Sequence, residues 1–234
     1  MAAQSQERPP PEIPGQLPLS VAILRWIASV YLTLFKKFRI VNSALIPPTG
    51  SVILVANHTT AYDPVCLQVA CPYRFVRFMQ AREYYEKRPF HFLFKWLQVI
   101  PVNRNGNDTV SFRTALRTLT NKGCLGIFPE GKISDDGQLQ EARKGVALLA
   151  LMSNATIVPS YLHGTNVYRG MIADFFLFNQ VTLYFGEPLR FDDLASRHPE
   201  PEALDLALER IMGAIVALHD RHVSPSATAI ELKE

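Results

Sequence analysis

Six short apolar runs, each closed by a polar or proline-bearing turn, limit what these 234 residues can fold into. They cover residues 51–56, 74–79, 99–102, 124–128, 155–160 and 180–185. Runs of that length without strict alternation read as strands buried on both faces. Between and after them lie stretches of helical length and signalling. Pro64 suits a first helical turn, with Asp63 as the predicted N-cap of a helix to about Ala70. Asp108 opens a predicted helix over 109–121, which Gly123 ends, and further helices are predicted over 139–153 and 202–222. Strands alternating with helices predict an α/β fold, a mixed, largely parallel sheet covered by helices. A hydrophobic share of 48% over this length suits one domain with a substantial core. That domain is expected over residues 40–223. The Pro-, Gln- and Glu-rich stretch 1–16 is expected to be a disordered tail, and 224–234 a flexible one.

The segment 17–39 needs separate treatment. Leu17–Phe35 is almost wholly apolar and ends in Lys36-Lys37-Phe38-Arg39. Its length approaches a membrane span, yet Arg25 sits in its middle, at an insertion cost of at least ~2.5–3.5 kcal/mol. The preferred reading is therefore an apolar helix lying on or partly in a membrane, its basic cluster near anionic headgroups. The alternative is a core helix packed on the domain. A net charge of +3 permits anionic lipid or phosphorylated substrates as partners. No aromatic RNA-binding pattern or long basic run points to nucleic acid, and no zinc spacing points to a metal. The three cysteines, Cys66, Cys71 and Cys124, form no C-x-x-C pair and read as core residues of a protein in a reducing compartment.

Directly after the 51–56 run comes Asn57-His58-Thr59-Thr60-Ala61-Tyr62-Asp63-Pro64. On one continuous helix, side chains five residues apart would point about 140° away from each other. With His58 in the loop and Asp63 at the helix start, the chain can turn the imidazole back onto the carboxylate. One ring nitrogen then bonds to Asp63, and the other can take a proton from a substrate hydroxyl. A helix cap beside an uninvolved loop histidine is the alternative.

Three more segments follow predicted strands. Ile100-Pro101-Val102 leads to Asn103-Arg104, Phe128-Pro129-Glu130-Gly131-Lys132-Ile133-Ser134 closes the 124–128 run, and Val158-Pro159 lies in the 155–160 run. Ligands of α/β sheets gather at the carboxyl ends of strands, so His58, Arg104 and Glu130 can converge. The stretch Phe175-Phe176-Leu177-Phe178 reads equally as a lipid- or acyl-facing loop and as core.

Taken in order, N-H-x-x-x-x-D (Asn57, His58, Asp63), Arg104 after a strand, F-P-E-G (Phe128 to Gly131) and Val158-Pro159 resemble the four blocks of the glycerolipid acyltransferase family. The resemblance spans about residues 45–190, within the 40–223 domain. It implies an enzyme of the 1-acylglycerol-3-phosphate or lysophospholipid acyltransferase kind. His58 would be the general base on the acceptor hydroxyl and Asp63 its orienter. Asn57, Arg104, Glu130, Gly131 and Lys132 would bind substrate, Arg104 at the acceptor's phosphate. The donor would be acyl-CoA or acyl carrier protein, as co-substrate, with no bound cofactor, and the site would lie on the cytoplasmic side of a membrane such as the bacterial inner membrane. In one place the sequence departs from the family. Where the third block commonly continues T-R-S, this chain has Lys132-Ile133-Ser134. Lys132 or Lys144 could supply the displaced charge, and a lysophospholipid with a phosphodiester headgroup, such as lysophosphatidylethanolamine, becomes the alternative acceptor. An alternative of another class is a non-catalytic lipid- or acyl-CoA-binding module.

Overall fold

The computed structural model describes residues 19–88, 90–104, 108–134, 136–165 and 171–223. Both expected tails, 1–16 and 224–234, fall outside the described residues. Seven strands form one sheet: β1 (Arg39–Val41), β2 (Val52–Ala56), β3 (Val76–Ala81), β4 (Ile100–Val102), β5 (Cys124–Ile127), β6 (Thr156–His163) and β7 (Thr182–Phe185). Their spatial order is β1-β7-β6-β2-β5-β3-β4. The pairs β2–β5, β2–β6, β3–β5, β3–β4 and β1–β7 are parallel, and only β6–β7 is antiparallel. The sheet is thus mixed and largely parallel, as the alternating pattern predicts.

β2 lies at the centre of that order, and none of its five residues is exposed. Its side chains alternate between two cores. Ile53 and Val55 join a core built with α5 (Thr109–Thr120), α6 (Gly145–Ser153) and α8 (Pro201–His222). Val52, Leu54 and Ala56 join a second core on the opposite face. There α2 (Asp63–Ala70) contributes Cys66, Leu67, Val69 and Ala70, and α1 (Leu19–Lys36) contributes Leu32. Helices on both faces explain why the strands read as unbroken apolar runs. From β2 the chain turns to one side through β3, α3 (Arg82–Tyr85), α4 (Phe90–Trp96), β4 and β5, then crosses β2 to reach β6. The crevice beyond the carboxyl end of β2 sits where those directions part.

Three local expectations are corrected. Helix 139–153 is formed only from Gly145, because residues 138–144 run as a strap over the turn after β5, where the Arg143 N–H donates to Pro129 O at 2.9 Å. Residue 62, not Asp63, is the N-cap of α2. Lys36 is fully buried rather than at a headgroup: its Nζ donates to Leu177 O at 2.5 Å and lies 4.4 Å from the Tyr62 ring centre.

α1 is 18 residues long with a mean hydropathy of 1.4. Val21, Leu32 and Lys36 are buried against the domain, while Leu19, Ile23, Trp26, Val30 and Leu34 form an exposed stripe at helical spacing. Arg25 is half-buried, its Nε enclosed within the protein. The arginine that argues against a plain membrane span thus faces the protein. Of the aromatic stretch, Phe175 packs on Tyr31 and Tyr62 beside α2, whereas Phe176, Leu177 and Phe178 are exposed at the end of α7 (Met171–Phe176).

Candidate active site

β2 ends at Ala56, and the next two residues leave the sheet in opposite ways. Asn57 is buried and turns toward β6: its Nδ2 donates to Leu162 O at 3.1 Å and its Oδ1 accepts from Leu162 N at 2.7 Å. Both ends of the amide are spent on clamping two strands, which suits Asn57 to positioning the loop rather than to the predicted substrate contact. His58 turns to the crevice. Its Nδ1 lies 2.9 Å from Asp63 Oδ2, and its side chain keeps 16% of its surface exposed against none for Asp63.

Asp63 does not cap α2 forward. Its carboxylate turns back onto the loop, where Oδ2 accepts from the backbone N–H groups of Thr59 and Thr60, both at 2.8 Å. Oδ1 accepts from Thr60 Oγ1 at 2.5 Å. Two amides, a hydroxyl and the imidazole thereby fix one buried carboxylate, and the loop closes on the residue that orients the histidine. Thr59 Oγ1 donates to Thr165 Oγ1 at 2.5 Å, tying the loop to the exit of β6. None of these three threonines stands out by sequence. Only the position of Thr59 and Thr60 inside the histidine–aspartate spacing marks them.

The turn after β5 closes the other side. The Phe128 ring stacks on the His58 imidazole with 4.1 Å between centres. Behind it, Phe78 stacks on Phe128 at 6.2 Å. Gly126 makes room for this stack, since a Cβ there would overlap the Phe78 ring. Ser134 N donates to His58 O at 2.7 Å, and Glu130 Oε1 accepts from His58 N at 3.1 Å. Glu130 is 4% exposed, and its Oε2 has no hydrogen-bond partner among the described residues. Burial pushes this carboxyl up to about 7, against the opposing pull of the His58 and Gln140 backbone N–H groups. Near neutral pH it populates both protonation states and can donate or accept through Oε2.

Gly131 follows with φ +70, a left-handed conformation that suits glycine. Lys132 is exposed, and its charge helps hold the Asp136 carboxyl below the usual range, after the Gln138 N–H and the Ser134 hydroxyl. Lys144 is ion-paired with Asp205 on α8. Arg104 stands beyond β4, three strands from β2 in the sheet order, or roughly 14 Å at the usual interstrand spacing. It is paired with Glu83 of α3. The structure thus joins His58, Asp63, Glu130 and Gly131 in one crevice, keeps Lys132 at its rim and leaves Arg104 farther along the same edge. Among the described residues no group of three or more His, Cys, Asp and Glu could hold a metal ion.

A family model described as Acyltransferase matches residues 37–163, more than half of the chain and all of the segment from β1 through β6. The chain belongs to the acyltransferase family. Within that family it is 25% identical to the 1-acyl-sn-glycerol-3-phosphate acyltransferase of Bacillus subtilis (strain 168) over 194 residues, covering 82% of this chain and 93% of that protein. The correspondingly named protein of Borreliella burgdorferi is 28% identical over 151 residues, 62% of this chain and 56% of that one. That of Streptococcus pneumoniae is 27% identical over 150 residues, 63% and 53%. The chain spans just over half the length of these last two acyltransferases. The solved structure of the 1-acyl-sn-glycerophosphate (LPA) acyltransferase PlsC from Thermotoga maritima superposes with a TM-score of 0.65 at 20% identity, over 86% of this chain and 80% of that one. At that identity the likeness speaks for the acyltransferase fold.

Proposed function

We propose that this acyltransferase moves a fatty acyl group from an acyl thioester to the free hydroxyl of 1-acylglycerol-3-phosphate, giving phosphatidic acid. The observation that carries the reading is the oriented base: His58 Nδ1 at 2.9 Å from an Asp63 carboxylate held by three further donors. With Nδ1 donating to Asp63, Nε2 is the nitrogen that takes the acceptor's hydroxyl proton. The acceptor oxygen attacks the thioester carbonyl and forms the new C–O bond. Collapse of the tetrahedral adduct breaks the C–S bond, and the imidazolium returns its proton to the departing thiolate. Asp63 stabilises the imidazolium in between, as in a serine-protease triad with the substrate alcohol in place of serine. No protein nucleophile and no bound cofactor enters these steps.

Glu130 Oε2, buried and unpartnered, is suited to an acceptor hydroxyl. Gly131 supplies the left-handed turn that follows Glu130, while Lys132 and Arg104 add positive charge along the rim. The names of the relatives support 1-acylglycerol-3-phosphate as acceptor. Ile133, at the place of the family's arginine, favours a second acceptor class, phosphodiester lysophospholipids such as lysophosphatidylethanolamine. The donor is acyl-CoA or acyl carrier protein.

The exposed stripe of α1, with Lys37 and Arg39 exposed beside it, supports seating on the cytoplasmic face of a membrane. Thiol release by the purified chain, supplied with each donor and a panel of lysophospholipids, tests the reaction. A His58→Ala protein that is folded and transfers acyl groups at the wild-type rate would sink the mechanism. Thiol-independent binding of lysolipid, with no release for any pair, would favour the non-catalytic module.

A further inference from the structure

The turn that carries Glu130 is covered by a cation that lies outside the four sequence blocks. Arg143 lies in the strap 138–144, and its N–H donates to Pro129 O at 2.9 Å. Its side chain folds over Gly131 so closely that a Cβ on that glycine would sit 2.8 Å from Nε and 3.1 Å from Cδ. The absent side chain at Gly131 is therefore the seat of a guanidinium, as well as the source of the turn's left-handed backbone. That turn contacts His58 three times, through the Phe128 ring, through Glu130 Oε1 at the His58 N–H and through the Ser134 N–H at the His58 carbonyl. A group gripped by Arg143 is thereby one turn away from the dyad.

Two cations near the site are already engaged: Arg104 is paired with Glu83 and Lys144 with Asp205. Arg143 is exposed and forms no ion pair among the described residues. A planar guanidinium anchored by its own backbone, with its charge unanswered beside a catalytic turn, suits a bidentate phosphate contact. We infer that Arg143 binds the phosphate of the acceptor and fills, from the strap, the place that Ile133 vacates.

The inference rests on the acyl-transfer reading, and the test separates the two. Steady-state kinetics of the full chain in lipid vesicles would compare lysophosphatidic acid with uncharged monoacylglycerol as acceptor, using acyl-CoA and, in parallel, acyl carrier protein as donor. Arg143→Ala should raise KM for lysophosphatidic acid by at least about tenfold, the worth of one charge-assisted contact. It should leave kcat, the donor's KM and monoacylglycerol acylation nearly unchanged. Arg143→Lys should fall between, as a point charge without the fork. Lys144→Ala should behave as wild type. An unchanged KM for lysophosphatidic acid in an active Arg143→Ala enzyme overturns the assignment alone. A KM for acyl-CoA that rises as much as that for lysophosphatidic acid also overturns it, by moving Arg143 to the donor. A wild-type chain that acylates neither of these acceptors nor lysophosphatidylethanolamine, with either donor, removes the acyl-transfer reading and this inference together.

Discussion

The carboxyl end of β2 and that of β4 belong to one sheet and carry charge in opposite styles. At β2, Asp63 and Glu130 are buried and held by backbone N–H groups, and each touches His58. At β4, Arg104 and Glu83 are half-exposed or exposed and hold each other. Charges fixed by amides in a water-poor centre keep their geometry before any substrate arrives, which is what chemistry requires. A surface pair holds weakly and can exchange partners. The centre is thus built for the reacting atoms, while the rim can adjust to whatever headgroup comes.

The hardest blow to that contrast is at the base. His58→Ala should lower kcat by roughly 100- to 10,000-fold, with an unchanged thermal midpoint, measured as thiol release beside a melting curve. Asp63→Asn should cost roughly 100-fold or more in kcat. The Thr59 and Thr60 amides would then face a neutral amide in place of a carboxylate, so the melting temperature should fall as well. A variant that keeps full activity would show that the dyad geometry is incidental.

Next comes Gly126→Ala. The added methyl must displace Phe78, and through it Phe128 and the His58 ring. Overpacking of this sort costs about 1–3 kcal/mol. Denaturant midpoint and kcat should drop together, and a loss of stability with kcat intact would uncouple the aromatic stack from the base.

Glu130→Gln sharpens the comparison through pH. The Glu130 carboxyl is raised to about 7 in the folded chain, so the folded state holds this proton where the unfolded state has lost it. From this group the protein loses stability as pH climbs from the ordinary carboxylate range to about 7, with no further loss above. Glu130→Gln should therefore match the wild type near pH 4 and exceed it above pH 7, by at most about 3 kcal/mol. Melting curves across pH read this directly, and a gap that shrinks with rising pH would refute it. The smallest effect is expected at the rim. Glu83→Gln should leave the melting temperature unchanged and shift acceptor KM less than about threefold.

Six of the seven strands and the dyad were legible because each rests on a local pattern, whereas β1 (Arg39–Val41) was hidden at the basic end of the 17–39 segment. The apolar runs reflect burial on both faces, and Pro64 marks the helix start that frees His58. What was illegible depends on partners distant in sequence. Nothing in the chain near Asn57 announces Leu162, and nothing near Asp63 says that its carboxylate will turn backward instead of capping α2. The apolar pattern of 139–153 continues through Leu139, yet the strap surrenders helix to bond with Pro129. Arg143 was passed over for the same reason, since its neighbour Gly131 is close only after that strap has crossed the turn. Lys36 read as a surface charge because the sequence cannot display the Tyr62 ring that covers it.

That lysine has a practical consequence. It is the last residue of α1, yet its ammonium is lodged under Tyr62, the residue before Asp63. Anyone seeking a well-behaved reagent would be tempted to clip the greasy helix. Cutting there would pull a plug from beneath the catalytic loop. The outward stripe of Leu19, Ile23, Trp26, Val30 and Leu34 is the part open to redesign, because those side chains can be made polar while the helix and its terminal lysine stay in their socket.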